Sequence, residues 1–392
     1  MKTKKTLKNA LVLSIVSIFM LGLISTSLAG DDNYIIGEKI KINSKVLNEE
    51  RTLLVYLPNG YKKTQTKYPV IYVLDGSWHF HHATGIVQYL SARGLMPPTI
   101  VVAIVNVDRN RDFTPTKIEK IEVSGGADIF MSFITDELKP YLNKNYRVNS
   151  YDMLVGHSLG GTFATYSLLN YPDVFDSYIA ISPYLMYDDN MLLAEAETKL
   201  KSSYNSSKYF YITLGDEPNY TEAVESFVKI VQTTSPKGLE FSYTPMTKES
   251  HNSIPHLSIY YGLEAIYSDW KLPKETLKEG LSSVDKHYAK LSKKYGYKIE
   301  ASENSINALG YQYIQGKNYS EAIKVFKENV KRFPASSNVY DSLGEAYEYD
   351  GQLTEAEKNY AKAVEIGEKE QHAFLETYKV NLNRIKVLLA EK

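Results

Sequence analysis

The sequence predicts an α/β protein with a mostly parallel central sheet, followed by a smaller all-α region. Three observations lead to this prediction. Short β-branched runs alternate with helical patterns up to about residue 270, as in a buried sheet whose strands are joined by helices. A Gly-x-Ser-x-Gly pentapeptide around Ser158 lies between one such run and a helical segment. Beyond residue 270 the pattern becomes helical throughout and repeats after 34 residues.

Residues 1–29 have the pattern of a secretory signal peptide. Four lysines precede an apolar stretch from Ala10 to Ile24, and Ser27-Leu28-Ala29 then offers small residues to a signal peptidase. The apolar stretch is short for a membrane-spanning helix. We therefore expect an exported protein, periplasmic or secreted, that is held at a membrane only if this segment is not removed.

Composition argues against nucleic acid as a partner and against a disulfide-stabilised fold. The chain of 392 residues carries 45 Lys and Arg against 46 Asp and Glu, so it has no excess positive charge. It contains no cysteine, so an exported form must be stabilised by its hydrophobic core alone. A chain of this length, with 43% hydrophobic residues, is large enough to bury such a core.

Eight strand-like segments make up the predicted sheet. The first two alternate between apolar and polar residues, as antiparallel strands do, and the later ones are continuous apolar runs typical of buried parallel strands. Active sites in such sheets lie beyond the carboxyl ends of the strands, so the loops that follow them are the places to search. The predicted strands are Glu38–Ile42, Arg51–Tyr56, Val70–Leu74, Ile100–Val105, Met153–Val155, Tyr178–Ile181, Tyr209–Leu214 and Glu240–Thr244.

The pentapeptide around Ser158 indicates a nucleophilic serine. Tyr151–Val155 is predicted as a strand and Thr162–Asn170 as a helix, so Ser158 falls on the tight turn between them. A serine on such a turn needs strained backbone angles, and the flanking glycines keep side chains away from it. A glycine-rich turn whose serine only caps the helix is the alternative, but the strand and helix on either side favour the nucleophile.

A serine hydroxyl needs a base and an orienting acid, which we expect downstream in the order serine, acid, histidine. His251 lies in a polar loop directly after the last strand and is the predicted base, whereas His256, just inside the next helix, is less suitable. The acid is expected in the loop after the seventh strand. We predict Glu217 as this acid, with Asp216 as the second choice and Glu222 as the third.

Two further loops carry groups that suit a substrate site. Gly76, after the third strand, lets the backbone turn and present an N–H group to an oxyanion, although a plain turn is equally consistent. Arg109, after the fourth strand, lies in a loop of polar groups that could hold a substrate or simply satisfy one another as salt bridges. Trp78–His82 contains three histidines without the spacing of a zinc site, so we expect residues of the cleft mouth and no metal.

The motifs of this region resemble a known family. They are Lys67–Gly76, Asn106–Pro115, Gly156–Gly161, Ser182–Asp189 and His251–Pro255. Over about residues 35–270 this combination resembles the esterase family of α/β-hydrolases, which includes S-formylglutathione hydrolase (esterase D), feruloyl and acetylxylan esterases, and enterobactin-type siderophore esterases. It is most similar to the siderophore-esterase branch of bacteria that carry a C-terminal helical repeat tail. The resemblance implies an α/β-hydrolase domain over residues 30–270.

The resemblance also implies a role for each candidate residue. Arg111 falls where the siderophore branch has an arginine on the substrate side. The backbone N–H groups of Leu159 and of the Gly76 and Ser77 turn would form the oxyanion hole. The predicted site comprises a catalytic set (Ser158, His251 and Glu217, with Asp216 as the alternative acid), an oxyanion hole (Leu159, Gly76 and Ser77) and substrate-binding residues (Trp78, Arg109 and Arg111).

The residues after 270 form the predicted all-α tail. Lys271-Leu272-Pro273 interrupts the preceding pattern, and residues 271–302 are expected to contain a connector helix. Two tetratricopeptide-like repeats are predicted over residues 303–370 and a capping helix over residues 371–392. Two units are too few to be stable alone, so we expect them to pack on neighbouring helices, on a second subunit or on a protein partner. The repeated residues are Leu309-Gly310, Tyr313, Ala322 and Phe326, which recur as Leu343-Gly344, Tyr347, Ala356 and Tyr360.

These features predict an exported serine ester hydrolase that forms an acyl-serine intermediate on a small-molecule ester and needs no metal or organic cofactor. The leading substrate is the ester or lactone backbone of a siderophore, because Arg109 and Arg111 suit an anionic iron complex. The alternatives are a carbohydrate-side acetyl or feruloyl esterase and, from another class, a repeat-mediated protein-binding module on an inactive hydrolase scaffold. The sequence leaves open whether residues 186–203 form a lid.

Overall fold

The computed structural model of the protein describes residues 34–201, 204 and 207–391. The predicted signal peptide, residues 1–29, lies outside these residues. The chain divides into Met1–Ile36 and a compact unit, Gly37–Lys392, and the fold described below is that of the second unit. Within the described part of the chain, no helix combines the length and the apolar character needed to cross a bilayer.

An eight-stranded sheet forms the centre of this unit, and all eight predicted strands are present. The strand order is β1-β2-β4-β3-β5-β6-β7-β8. The first two pairings, β1 with β2 and β2 with β4, are antiparallel, and all later pairings are parallel. The strands are β1 (Glu38–Ser44), β2 (Glu49–Tyr56), β3 (Tyr68–Val73), β4 (Ile100–Ile104), β5 (Val148–His157), β6 (Ser177–Ile181), β7 (Lys208–Leu214) and β8 (Leu239–Pro245).

The burial of the strands explains their sequence patterns. Every residue of β3, β4 and β6 is buried, so these strands are continuous apolar runs, whereas β1 at the sheet edge alternates in exposure. Central side chains such as Val70, Val102 and Leu154 are fully excluded from solvent. Burial of one such side chain contributes roughly 1.5–3 kcal/mol, so this core holds the strands in the register that aligns their carboxyl ends.

Among the described residues of the sheet-containing region, eight α-helices connect the strands or follow them, besides a 3-10 helix (Tyr61–Lys63) and a π-helical turn (Ile134–Leu138). Helices α1 and α8 pack against each other, while α5, α6 and α7 form a second packed group. The loops that lead into α5, α7 and α8 follow β5, β7 and β8, so they meet at the carboxyl edge of the sheet. The helices are α1 (Gly76–Ala92), α2 (Arg109–Phe113), α3 (Ala127–Phe133), α4 (Lys139–Asn145), α5 (Leu159–Asn170), α6 (Tyr187–Leu200), α7 (Pro218–Thr234) and α8 (Ile254–Ile266).

Helix α6 covers most of the segment that the sequence left open as a lid. Its inward residues Leu192, Ala196 and Leu200 belong to the main hydrophobic core. The Tyr187 hydroxyl at its start donates a hydrogen bond of 2.6 Å to the carbonyl of Thr116. Because both ends are anchored in this way, residues 187–200 pack on the body of the protein as a surface helix that is kinked near its start.

The C-terminal region consists of seven helices with an internal offset of 34 residues. Helices α11 and α13 begin 34 residues apart, as do α12 and α14. A Cβ atom on Gly310 would lie 2.4 Å from the ring of Phe326, and one on Gly344 would lie 2.8 Å from that of Tyr360. Each glycine therefore allows the same close approach within its helix pair. These helices are α9 (Lys274–Lys278), α10 (Leu281–Tyr295), α11 (Glu303–Gln315), α12 (Tyr319–Arg332), α13 (Ser337–Tyr349), α14 (Leu353–Glu370) and α15 (Leu375–Ala390).

The connector helix α10 is shared between the sheet-containing region and the tail. The ring of Tyr295 lies 5.1 Å from that of Tyr151 and 5.2 Å from that of Tyr267, measured between centroids. On its other side, Asp285 accepts two hydrogen bonds from Arg332 of α12, of 2.7 and 2.9 Å. Since Tyr151, Tyr267 and Tyr295 are all buried, this contact is a continuation of the hydrophobic core.

Candidate active site

Ser158 is the single residue between β5 and α5, and its backbone is strained. Its φ of 59° and ψ of −118° lie in a region that residues other than glycine rarely adopt. The turn is held by hydrogen bonds from the Ser158 N–H to Ile181 and from the Thr162 N–H to Ser158, both 2.9 Å long. A Cβ atom on Gly156 would lie 2.0 Å from the carbonyl oxygen of Gly160, so the turn requires glycine there.

The loops after β7 and β8 bring Glu217 against His251. The Nδ1 atom of His251 lies 2.5 Å from Oε2 of Glu217. The other carboxylate oxygen accepts hydrogen bonds from the Ser182 hydroxyl at 2.5 Å and from the Gly215 N–H at 3.2 Å. Burial tends to raise the pKa of Glu217, but the bonds from His251, Ser182 and Gly215 outweigh it and lower the pKa. Glu217 is therefore a charged carboxylate that fixes the imidazole.

The structure brings Glu217, rather than its two neighbours in sequence, to the imidazole. Glu217 is 8% exposed, whereas Asp216 and Glu222 are exposed to solvent. The Asp216 N–H donates a hydrogen bond of 2.7 Å to the carbonyl of Glu249, which turns this residue away from the core. Ser182, the second partner of Glu217, was not among the predicted site residues; its place directly after β6 was the signal available.

Two helix N-termini lie beside the nucleophile and suit an oxyanion. Helix α5 begins at Leu159 and α1 at Gly76, and the first N–H groups of a helix have no partner within it. A Cβ atom on Gly160 would lie 3.3 Å from Oδ2 of Asp75, which places the start of α1 against the turn. Leu159, at the positive end of the α5 dipole, therefore directly follows Ser158, and Ser77 in the first turn of α1 is exposed to solvent. Leu159, Gly76 and Ser77 are not among the residues that line the cleft described below.

Arg109 lines the cleft, but its charge is matched by a buried carboxylate. Its Nε atom donates to Asp75 Oδ1 at 2.7 Å, and one terminal nitrogen donates to Asp75 Oδ2 at 3.2 Å and to the carbonyl of His157 at 3.0 Å. The guanidinium carbon also lies 5.8 Å from the ring centroid of Trp78, which is 66% exposed. Arg109 thus ties the start of α1 to the end of β5.

Arg111 lies in a different ion-pair network and is not among the residues that line the cleft. Its guanidinium donates to Glu49 at 2.6 Å and to Asp112 at 2.8 Å. The fully buried Arg51 binds the same two carboxylates, each at 2.7 Å. The hydrogen bond with Glu49 is the largest of the effects that raise the pKa of Arg111. With Arg111 here and Arg109 paired, the expectation of two free arginines for an anionic complex does not fit this structure.

Replacing Asp112 with asparagine is expected to lower the free energy of unfolding by about 3 kcal/mol. Burial raises the pKa of Asp112 despite both arginines, so the pair is not itself a strong stabiliser, but its removal leaves the guanidinium of Arg51 poorly compensated. Urea unfolding would measure the difference. Glu50→Gln is the matched control, because Glu50 pairs with Lys41 in solvent and should contribute less than about 1 kcal/mol. Equal effects of the two substitutions would contradict this reading of the network.

A cleft of about 530 Å³ opens above the nucleophile. Four of the predicted site residues line it: Ser158, His251, Trp78 and Arg109. His79 and His82, from the segment expected at the cleft mouth, also line it, and His157 adds an imidazole that was not predicted there. Among the described residues, no group of three or more histidine, cysteine, aspartate or glutamate side chains is arranged to hold a metal ion. The remaining lining residues are Asn252, Ser253, Pro255 and His256.

Comparison with known proteins points to one family. The family model described as "Putative esterase" matches residues 44–229. The chain resembles this esterase family. Ferri-bacillibactin esterase BesA of Bacillus subtilis is 31% identical over 172 residues, which cover 38% of this chain and 60% of the relative. A siderophore enterobactin esterase of Emericella nidulans is 32% identical over 149 residues, which cover 32% of this chain and 49% of the relative. The chain thus spans about half to 60% of the length of these curated relatives.

Two solved structures share the fold. An IroE-like serine hydrolase from Shewanella oneidensis is 27% identical with a TM-score of 0.67, and the match covers 76% of this chain and 99% of that one. Siderophore hydrolase EstB from Aspergillus nidulans is 23% identical with a TM-score of 0.54, and the match covers 62% and 98%. The predicted α/β architecture is therefore confirmed, and the similarity to the esterase family supports ester hydrolysis as the chemistry of this region.

Proposed function

We propose that the protein is an exported serine ester hydrolase that cleaves ester or lactone bonds of a siderophore through an acyl-serine intermediate. The observation that carries this proposal is the alignment of three groups at one sheet edge. Ser158 lies on a strained turn, His251 is bound to the charged carboxylate of Glu217, and both Ser158 and His251 line the same cleft. A nucleophile, a base and an orienting acid, in the chain order serine, acid, histidine, form the arrangement used for acyl transfer.

In the proposed mechanism, the Ser158 hydroxyl attacks the ester carbonyl while the Nε2 atom of His251 takes its proton. Glu217 holds the proton on Nδ1, so that Nε2 presents its lone pair to the serine. The N–H groups at Leu159 and Gly76 would stabilise the oxyanion. His251 then gives its proton to the leaving alcohol, and water, activated by the same imidazole, releases the acid and restores Ser158. No metal ion is required for these steps.

The siderophore assignment is supported by the named activities of relatives and by the size of the cleft. The curated relatives described above carry the names of siderophore esterases. A cleft of about 530 Å³ is in the range that binds a small molecule, and its lining supplies many hydrogen-bonding groups. A cyclic trilactone offers several equivalent ester bonds to such a site.

The substrate assignment is tested with a cyclic trilactone siderophore, iron-free and iron-loaded, beside acetylated and feruloylated xylan. We expect the trilactone to be opened with a kcat/KM at least about tenfold higher than that for release of acetate or ferulate. Chromatography of the products would measure both, and Ser158→Ala protein is the control for background hydrolysis. Preferential release from xylan would replace the siderophore assignment with a carbohydrate-side esterase.

Export and the repeat tail are further parts of the proposal. The enzyme for this assay is best taken from the extracytoplasmic fraction of cells that express the full chain, where N-terminal sequencing reports whether Gly30 is the first residue. The offset of 34 residues and the paired contacts of Gly310 with Phe326 and Gly344 with Tyr360 support two tetratricopeptide-like units. We assign this tail a packing role, because two units offer little concave surface to a partner. The bonded pair of His251 and Glu217 argues against an inactive scaffold.

A further inference from the structure

A row of imidazoles extends from His251 along one wall of the cleft. The ring centroid of His157 lies 4.5 Å from that of His251, and the ring centroid of His79 lies 5.7 Å from that of His157. His79 Nδ1 and His82 Nε2 are hydrogen-bonded at 3.0 Å, and the ring of His256 lies 5.5 Å from that of His82. His79 and His82 share one face of α1 because they are three residues apart. All five side chains line the cleft.

The three middle histidines are neutral and keep unused hydrogen-bonding atoms. Burial lowers the pKa of His79, lowers that of His82 to about 4 and lowers that of His157 to about 3. The buried atoms Nε2 of His79, Nδ1 of His82 and Nε2 of His157 have no hydrogen-bond partner among the described residues. A neutral imidazole donates through one nitrogen and accepts through the other, so this wall can bond a group that both donates and accepts.

The charge of the cleft does not favour an anion at this wall. Among the described residues that line the cleft, Arg109 alone carries a permanent positive charge, and both oxygens of Asp75 neutralise it. Glu217, behind His251, adds a negative charge. An anionic group placed here would lose its water without gaining a free cation, which is costly.

We propose that His79, His82 and His157 form a subsite that binds uncharged hydroxyl groups of the leaving alcohol and disfavours anionic ones. This inference rests on the proposed ester hydrolysis and specifies which esters are preferred. The row of imidazoles lies where the alcohol part of the ester binds, because His251 must contact the leaving alcohol oxygen in order to protonate it. Atoms attached to that oxygen then lie beside the next imidazole of the row, that of His157.

The test compares three esters that share one acyl group and differ in the alcohol. Ethyl butyrate has an apolar alcohol, 2-hydroxyethyl butyrate adds a hydroxyl, and carboxymethyl butyrate adds a carboxylate. The kcat/KM of each is divided by its rate constant with hydroxide, which removes differences in intrinsic reactivity. The wild-type enzyme should favour the hydroxyethyl ester over the ethyl ester by about tenfold, the value of one good hydrogen bond, and should cleave the carboxymethyl ester most slowly.

His157→Phe keeps a ring of similar size at the imidazole next to His251 and should remove most of the preference for the hydroxyethyl ester. His157→Gln restores hydrogen-bonding atoms and should recover part of it. His81→Phe is the matched control, because His81 is an exposed histidine of α1 and does not line the cleft. This variant should retain the wild-type ratio.

The outcomes separate the subsite from the underlying activity. If no butyrate ester is cleaved, p-nitrophenyl butyrate included, the proposed ester hydrolysis itself fails. If p-nitrophenyl butyrate is cleaved but the wild-type enzyme shows equal normalised rates for the three esters, or favours the carboxymethyl ester, the subsite is overturned. A loss in His157→Phe that is equal for the ethyl and hydroxyethyl esters would likewise assign His157 a structural role only.

Discussion

Replacement of Ser158 by alanine is expected to reduce the turnover of p-nitrophenyl acetate and p-nitrophenyl butyrate by about a thousandfold to a millionfold. In the proposed mechanism the hydroxyl oxygen of Ser158 forms the acyl intermediate, so without it only the oxyanion-stabilising N–H groups and substrate binding remain. Loss of such a nucleophile removes the covalent pathway altogether. Measurement of initial rates with both esters, at saturating and subsaturating concentrations, would quantify the change.

The Ser158→Ala protein should fold as the wild type does, so the loss can be assigned to chemistry. Alanine experiences the same strain at a φ of 59° as serine does, and the turn is held by backbone hydrogen bonds that the substitution leaves in place. Thermal unfolding of both proteins would verify this. Ser320→Ala, at the exposed start of helix α12 in the tail, is a control expected to keep full activity. Activity that is indifferent to Ser158 would rule out the serine mechanism.

Replacement of Glu217 by glutamine should lower kcat by about a thousandfold to ten-thousandfold. The carboxylate accepts the Nδ1 proton of His251 at 2.5 Å and so leaves Nε2 free to act as a base. An amide nitrogen at that position would favour the opposite tautomer, in which Nε2 carries the proton and cannot accept one from the serine. Steady-state rates with p-nitrophenyl butyrate would measure the loss.

Asp216→Asn is the matched control for this substitution, since it makes the same chemical change one residue away in solvent. We expect its kcat to remain within about twofold of the wild type, as is usual for a surface substitution. A larger loss in Asp216→Asn than in Glu217→Gln would transfer the role of acid to Asp216. Small losses in both would mean that His251 works without an orienting carboxylate.

The strands of the sheet and the turn at Ser158 could be predicted from the sequence because the residues that determine them are close together in the chain. Continuous apolar runs identify buried parallel strands wherever they lie, and the glycines beside Ser158 are needed by the turn itself. The choice among Asp216, Glu217 and Glu222 was less direct. Which carboxylate is buried depends on the N–H of Gly215 and the hydroxyl of Ser182, and Ser182 lies in a different loop, directly after β6.

The ion-pair partner of Arg111 and the row of histidines along the cleft could not be predicted from the sequence. Arg111 finds its partner Glu49 on β2, some sixty positions earlier in the chain, and nothing in the composition of its own loop indicates that pairing. The spacing of His79 and His82 places them on one face of α1, but their neighbour His157 belongs to β5. Pairings across distant segments are set by the packing of the whole sheet, so they become visible only in three dimensions.

The shared connector helix also bears on how this chain can be divided. Tyr295 packs between Tyr151 and Tyr267, and its hydroxyl donates a hydrogen bond of 3.0 Å to the carbonyl of Ile266. A cut at Pro273, where the helical pattern begins, would uncover these phenol rings on the catalytic half. The sheet-containing region is therefore expected to lose part of its packing when the connector helix is cut away. The sheet-containing region and the tail belong to one compact unit, Gly37–Lys392. Loss of the connector helix should therefore expose an apolar surface on the sheet-containing region that favours aggregation.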